Sequence, residues 1–355
     1  MTVLQVCAFA APNAGNFIAC LTKLEFALEA KGIKTVYAFA DGAEDKPWCK
    51  EIQRRTDVYF LPTANARILP QTYQIFRKIY TEQNVSIVHS HFELYDIPAT
   101  VTAPKDTKVI WHLHDALKLN YSKDGAFHKL LTRFQYACVG KRAQLLSVSK
   151  EHAKFAVQLG FPKKQVVYFP NGIHTERIHK TPQRKKENQF LMFGWEVQRK
   201  GVDLVVAAAE QLPKHSCKIV VIGQDECRAF LAQHGTSDIV EFHEPVDDVN
   251  TLFQTSKAFL HVSRAEGLSY ALLEAIYAGL PVVCSDIEEN RFAEVFQNVF
   301  FIPSEDSEAI TKQLEALIQW DGTLSAFSVE ANRTIIEDTY SVEAWIKKLT
   351  AIYLE

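Results

Sequence analysis

Residues 262–286 read VSRAEGLSYALLEAIYAGLPVVCSD, and this stretch decides the fold. The apolar run 258–263 has the length of a buried strand, and 281–285 has the same character. Between them Tyr270, Ala271, Leu273, Glu274, Ala275 and Ala278 favour helix, and Gly279-Leu280-Pro281 ends it. The stretch is therefore a βαβ unit. Its turn, 264–269, lies where a strand's carboxyl end meets a helix N-terminus. Backbone N–H groups of a first helical turn have no intrahelical partner, so Gly267, Leu268, Ser269 and Tyr270 are expected to present N–H groups to an anion such as phosphate. Gly267 lets the backbone approach a ligand, and Arg264 adds a fixed positive charge.

Two carboxylates frame the turn. Glu266 precedes the helix and Glu274 follows eight residues later. At ~1.5 Å rise per residue their Cα atoms are expected ~10–12 Å apart. A nucleophile and acid of a retaining hydrolase need carboxyls only ~5–5.5 Å apart, so that chemistry does not fit. The wide spacing suits gripping hydroxyls at both ends of an extended ligand with phosphate between them. Taken singly, Glu266 reads as a helix cap and Glu274 as a solvated helical residue. Taken with Gly267, Arg264 and the buried strands, they read as a binding site.

Working outward, the same alternation fills the chain. Strands are expected at 3–9, 34–40, 58–61, 86–92, 109–114, 144–149 and 166–169, with helices at 16–31, 71–82, 126–139 and 150–159 between them. Pro170-Asn171-Gly172 closes this half, and the polar, basic run 181–188 reads as a linker. The pattern restarts with strands at 189–193, 218–222, 239–242, 258–263, 281–285 and 299–302. Repeated βα units predict an α/β protein of two Rossmann-like, doubly wound domains, 1–180 and 189–340. Helix 341–355 is expected to pack back on the first domain. With the domains facing each other, the strand carboxyl ends would border one cleft.

Length agrees, since 355 residues exceed what one core usually holds. Apolar residues make up 47% and charged residues 23%, as in ordinary soluble proteins. A strand begins almost at Met1 without a basic leader, and no apolar run approaches ~18–20 residues, so a cytoplasmic location is expected. The seven cysteines form no CxxC pair, which points to reduced core thiols rather than disulfides or zinc. Residues 1–180 hold 24 Lys and Arg against 15 Asp and Glu; the rest hold 15 against 27. A basic first half fits an anionic partner, a membrane surface or a phosphorylated acceptor. It fits equally a chance partition of charge. The stretch 127–142, FHKLLTRFQYACVGKR, is a basic amphipathic helix that suits either a membrane surface or packing on its own sheet. No nucleic-acid partner is expected.

The string EGLSYALLEAIYAGLPVVCSD is similar to the E-x7-E segment of the GT4 family of retaining glycosyltransferases, which have the GT-B fold. The resemblance implies that Glu266 contacts donor-sugar hydroxyls and that Glu274 holds the nucleotide's ribose. Other motifs of the family extend it. Gly15 stands where the family has a glycine loop after the first strand, implying a backbone contact to donor phosphate or acceptor, although the usual second glycine is replaced by Asn16. His114-Asp115 resembles the family's H-D, whose histidine lies beside the donor sugar. Residues 167–173, VYFPNGI, resemble its P-N-G turn at the end of the first domain.

Residues 193–203, FGWEVQRKGVD, resemble the family's G-R…K-G-x-D segment, in which an Arg and a Lys clamp the pyrophosphate. Lys200 matches the lysine, whereas Trp195 occupies the arginine position. Arg199 or Arg264 would then supply the second cation. Gly223 falls on the glycine loop after the next strand, and 244–249 fall where the base is contacted through backbone groups.

Of the four histidines on two strands, His91 is expected to line the cleft and His89 and His112 to be structural. Alternate strand residues do not by themselves close a metal cage, so no metal is expected. The resemblance implies a transferase with a UDP- or GDP-linked sugar as donor, no cofactor, and a glycan or lipid-linked acceptor of envelope or capsule assembly. A catalytically silent GT-B accessory subunit and a GT-B sugar-nucleotide epimerase are the alternative readings.

Overall fold

The computed structural model describes residues 1–114, 117–180, 187–234, 238–246, 248–320 and 324–355. Asp115, Asp247 and residues 181–186 of the expected linker lie outside them.

Seven strands form the first sheet: β1 Thr2–Cys7, β2 Lys34–Ala40, β3 Val58–Leu61, β4 Ile87–His91, β5 Lys108–Leu113, β6 Ala143–Ser147 and β7 Val166–Tyr168. Six form the second: β8 Gln189–Phe193, β9 Lys218–Ile222, β10 Val240–His243, β11 Ala258–His261, β12 Val282–Ser285 and β13 Val299–Ile302. All pairings are parallel. The orders are β3-β2-β1-β4-β5-β6-β7 and β10-β9-β8-β11-β12-β13. Each sheet thus grows outward from its first strand, then crosses to the other side of it. The reversal falls between β1 and β4, and again between β8 and β11. Loops at the carboxyl ends of those two strands diverge there and leave a crevice, where open α/β sheets bind ligands.

Buried strands explain the sequence pattern. Crossover helices cover both faces of a parallel sheet, so its central strands read as unbroken apolar runs. β1, β4 and β11 are buried throughout. Polar residues inside such runs are therefore conspicuous: Gln5, His89 and His91 have no exposed surface, and His261 keeps 4%.

The chain divides into two compact units, Met1–Gly172 with Val342–Glu355, and Ile173–Ser341. The first ends at the Pro-Asn-Gly turn rather than at 180. Residues 173–180 go with the second unit, where His179 N–H donates to Asn250 Oδ1 and Ile173 pairs with Ser341. Helix Val342–Leu354 belongs to the first unit, as expected of the C-terminal helix. Its Val342, Trp345, Leu349 and Tyr353 share a core with Phe17, Leu21, Leu24 and Leu28 of helix Gly15–Glu29. Truncating a large aromatic such as Trp345 there would cost ~3–5 kcal/mol. Among the described residues no helix is long and apolar enough to cross a membrane, and all seven cysteines are free, with only Cys138 exposed.

Candidate functional site

Two loops meet at the reversal of the second sheet. One follows β8 and carries Gly194 to Gly201; the other follows β11 and carries Ser263 to Ser269. They are tied by backbone, since Arg264 N–H donates to Arg199 O at 2.8 Å. Gly201 makes the close approach possible. It has φ +75°, and a Cβ there would lie 2.4 Å from Val262 O. No side chain fits. Gly194 and Gly223 are also packed shut, against Val202 and Cys227 respectively.

This contact brings Lys200 and Arg199 onto Glu266. Lys200 Nζ lies 2.5 Å from Glu266 Oε1, and Arg199 Nη1 lies 3.2 Å from Oε2. Arg199 also holds Glu196 at 2.7 Å through Nη2. Glu266 is buried, with 5% exposure. Burial pushes its carboxyl pKa up, but Lys200, His261 and Arg199 together pull it further down, to about 2. His261 lies 3.9 Å away and is itself brought down to about 4 by burial, so at neutral pH it is uncharged. The two cations therefore keep the carboxylate ionised.

Arg199 and Arg264 have different partners in this structure. Arg264 makes a two-pronged bond to Asp203, with both N···O distances 2.8 Å, and its Nε reaches Glu305 at 2.8 Å. Its Nη1 also donates to Gln198 O. Every edge of the guanidinium is occupied, and the side chain locks the two loops together. Arg199 is the cation that shares a carboxylate with Lys200. Trp195, at the position of the usual arginine, packs against Phe193.

Helix Tyr270–Ala278 begins at the N-cap Ser269, whose Oγ accepts from Leu272 N–H at 3.3 Å. Gly279, with φ +91°, ends it. Glu274 sits in its second turn, half-buried, and makes no hydrogen bond to any described residue. Burial raises its pKa, with Arg177 acting in the opposite sense. A carboxylate left without a partner in a half-buried place is a strong acceptor for a ligand's hydroxyls.

In the first unit Gly15 is the first residue of its helix rather than a loop residue, with φ +57° and open space where a Cβ would stand. His114 follows β5 and is half-buried; burial draws its pKa to about 3, with a bond to Asn171 opposing. His91 was expected to line a cleft but has no exposed surface. It is packed inside the sheet because both its ring nitrogens are used, Nε2 by Gln5 at 3.0 Å and Nδ1 by His114 at 3.0 Å. Nitrogens of His89, His91 and His112 lie within 4.8 Å of one another, a spacing open to a metal ion. Against this, the His89 and His112 rings stack nearly parallel, at 7°, and His91 is already committed.

Sequence reasoning did not single out Asp203 and Glu305 as the holders of Arg264, His261 beside Glu266, or Gln5 and Tyr353 behind His91. The signal for Gln5 and His261 was present: a polar residue in an otherwise apolar strand.

Two family models match the chain, "Glycosyltransferase Family 4" over residues 21–177 and "Glycosyl transferases group 1" over 174–350. The lipopolysaccharide glucosyltransferase WaaG of Escherichia coli is 27% identical over 191 residues, 46% of this chain and 51% of WaaG. The matched span is thus about half the length of that relative. Among solved structures, sucrose-phosphate synthase from Thermosynechococcus elongatus superposes with a TM-score of 0.79 at 14% identity, covering 99% of this chain and 98% of the other. HepE of Anabaena in complex with UDP gives 0.77 at 14% identity, with 99% of each chain covered. At such identities the superpositions speak for the fold. The two matches, which between them run from residue 21 to residue 350, and the fold together make this chain a member of the GT4 family of glycosyltransferases, built on the GT-B fold.

Proposed function

We propose that the protein transfers a hexose from a nucleotide-diphosphate sugar to a hydroxyl of a glycan or lipid-linked acceptor, retaining the anomeric configuration. The observation that carries this reading is Glu266, buried and ionised between Lys200 and Arg199 at the reversal of the second sheet. A pair of cations in a partly dry site is suited to a diphosphate, and a fixed carboxylate beside them to sugar hydroxyls.

In this reading the second unit holds the donor. Glu274 accepts the ribose hydroxyls, Glu266 the sugar hydroxyls, and Lys200 and Arg199 face the diphosphate with the N–H groups of 267–270. Arg264 and Asp203 hold the loops in place, and Gly223 keeps the neighbouring turn close. Gly15 and His114 serve the sugar or acceptor side. The sugar C1–O bond to phosphate breaks while a C1–O bond to the acceptor forms on the same face. The acceptor's proton passes to the departing phosphate oxygen. Lys200 and Arg199 stabilise the charge growing on that phosphate, so the step needs no metal or cofactor.

HepE was solved with UDP and also with UDP-glucose, which supports a uridine donor here. The names of WaaG and of the S. aureus capsular glycosyltransferase CapH place those relatives in lipopolysaccharide and capsule synthesis, and the proposed acceptor is of that envelope class. The proposed cellular site is the cytoplasmic face of a membrane. Helix Ala126–Ala137 exposes Phe127 by 61%, Leu130 by 68% and Phe134 by 51%, with Lys123, Lys129 and Arg133 nearby. An apolar stripe edged by cations fits an anionic lipid surface.

The test is thermal unfolding with UDP-, GDP- and ADP-sugars, followed by the configuration of sugar released in the absence of acceptor. One nucleotide series is expected to raise Tm through mass action, with slow release of the retained anomer. Folded protein that responds to none of them would overturn the reading.

A further inference from the structure

One run of hydrogen bonds in the first unit links the C-terminal helix to His114. Tyr353 OH lies 2.6 Å from His89 Nδ1 and accepts from Gln5 Nε2 at 2.9 Å. Gln5 Oε1 is 3.0 Å from His91 Nε2, and His91 Nδ1 is 3.0 Å from His114 Nε2. The side chain of Asn171 acts on His114 in the sense opposite to burial. The run covers four segments of chain: β1, β4, the end of β5 and the last helix.

Such a run has a direction. Burial holds His89, His91 and His114 uncharged. A neutral imidazole has one N–H and one lone pair, and the Gln5 amide has a donor at one end and an acceptor at the other. Each group therefore passes on the polarity it receives. In one order Gln5 donates to Tyr353 and Tyr353 donates to His89. His91 then donates from Nε2 to Gln5, and His114 donates from Nε2 to His91. In the other order every bond is reversed. A mixed order would set two protons or two lone pairs face to face in a buried place.

We propose that Tyr353, Gln5 and His91 are positioning residues that together decide which ring nitrogen of His114 carries its proton. The Gln5 amide, with nitrogen toward Tyr353 and oxygen toward His91, selects the first order, so the proton of His114 is on Nε2. That order leaves His89 Nε2–H without an acceptor, because this atom has no hydrogen-bond partner among the described residues. The Tyr353 oxygen is the acceptor that holds the Gln5 nitrogen on its side, so removing that atom frees the amide to turn. If His114 stands beside the donor sugar, as the proposed function has it, its Nε2 is already engaged by His91 and Nδ1 is the atom left to meet a hydroxyl. In the selected order that atom carries a lone pair, so His114 accepts from the sugar rather than donating to it.

The proposal is tested on the full, ligand-free chain carrying 15N-labelled histidine, so no donor or acceptor enters. Long-range 1H–15N correlations report which nitrogen of each ring is protonated. The wild type is expected to show His91 and His114 both protonated on Nε2. Tyr353→Phe, which removes one oxygen, is expected to introduce a second population in which His91 and His114 have reversed together. Gln5→Leu is expected to uncouple the two rings, with the exposed His128 unchanged throughout. A folded Tyr353→Phe variant with wild-type tautomers would overturn the proposal. So would a wild type with the two rings in opposed orders, or zinc titrating the His89 and His112 signals at one equivalent. Failure of the nucleotide-sugar screen would remove the transferase reading but leave this result standing.

Discussion

The two units share a strand order and differ in what stands at the reversal. In the second, Glu266 is held ionised between Lys200 and Arg199. In the first, the corresponding edge is filled by histidines that burial keeps neutral. Net charge runs the other way: the first unit has 24 Lys and Arg against 16 Asp and Glu, the second 15 against 26. Topology therefore fixes where a ligand can bind, while the side chains at the strand ends fix what kind. A fixed ion pair is suited to exchanging its partner for a diphosphate. Neutral rings and amides are suited to hydroxyls, whose recognition needs no counter-charge.

The largest effect should come from breaking the ion pair. Lys200→Ala leaves Glu266 buried with Arg199 alone, and removing one member of a buried pair typically costs ~3–5 kcal/mol. If Lys200 stabilises the departing phosphate, as proposed, its loss should also lower turnover ~10²–10³-fold. Urea unfolding and donor hydrolysis report the two losses separately. The comparison would fail if His114→Asn, in the neutral site, proved as costly to both.

Acid pH reads the same pair without mutation. The Glu266 pKa is depressed from 4.5 to about 2, so its contribution is complete above pH 4.5 and lost as pH falls toward 2. Over that window the shift corresponds to about 3 kcal/mol. Glu266→Gln should flatten this part of the stability profile while keeping the side chain's shape. An unchanged slope in the variant would place the acid sensitivity elsewhere.

Glu274 should behave in the opposite sense. Its pKa is raised, so above that pKa the ionised form costs stability in the ligand-free protein. Glu274→Gln is expected to stabilise the free protein at pH 7 by ~0.5–1 kcal/mol and to weaken nucleotide binding. Thermal unfolding with and without UDP checks both. A stabilised variant with undiminished UDP affinity would remove Glu274 from the site.

How much of this was legible follows from which interactions are local. The strands announced themselves because both faces are buried, and the helix after β11 because Ser269 and Gly279 punctuate it. Parallel, doubly wound sheets were implied by repeated βα units, though not the order of their strands. Ion pairing was not legible: Lys200 and Glu266 are 66 residues apart, and Arg264 and Asp203 61. A motif containing two arginines could not say which one was spent on a structural bond. Helix Ala326–Tyr340 was missed because its sequence, rich in Asn, Thr, Glu and Asp, has little apolar periodicity. His91 was misplaced because strand alternation gives the face on which a residue stands, not the partners waiting there.

The smallest effect on stability belongs to the basic unit's outer face and bears on the difference in net charge. Leu130 is 68% exposed on helix Ala126–Ala137, so Leu130→Ser should change stability by no more than ~0.5 kcal/mol. Its effect should appear on vesicles instead. If the basic unit meets an anionic surface, wild type sediments with phosphatidylglycerol vesicles and less with phosphatidylcholine, and added salt releases it. Leu130→Ser and Phe127→Ser should each weaken that binding, because a buried aliphatic or aromatic side chain contributes ~1.5–3 kcal/mol. Binding that ignored lipid charge, or survived both substitutions, would leave the charge difference between the units without a membrane role. The ion pair around Glu266 would then be the part of the contrast that function uses.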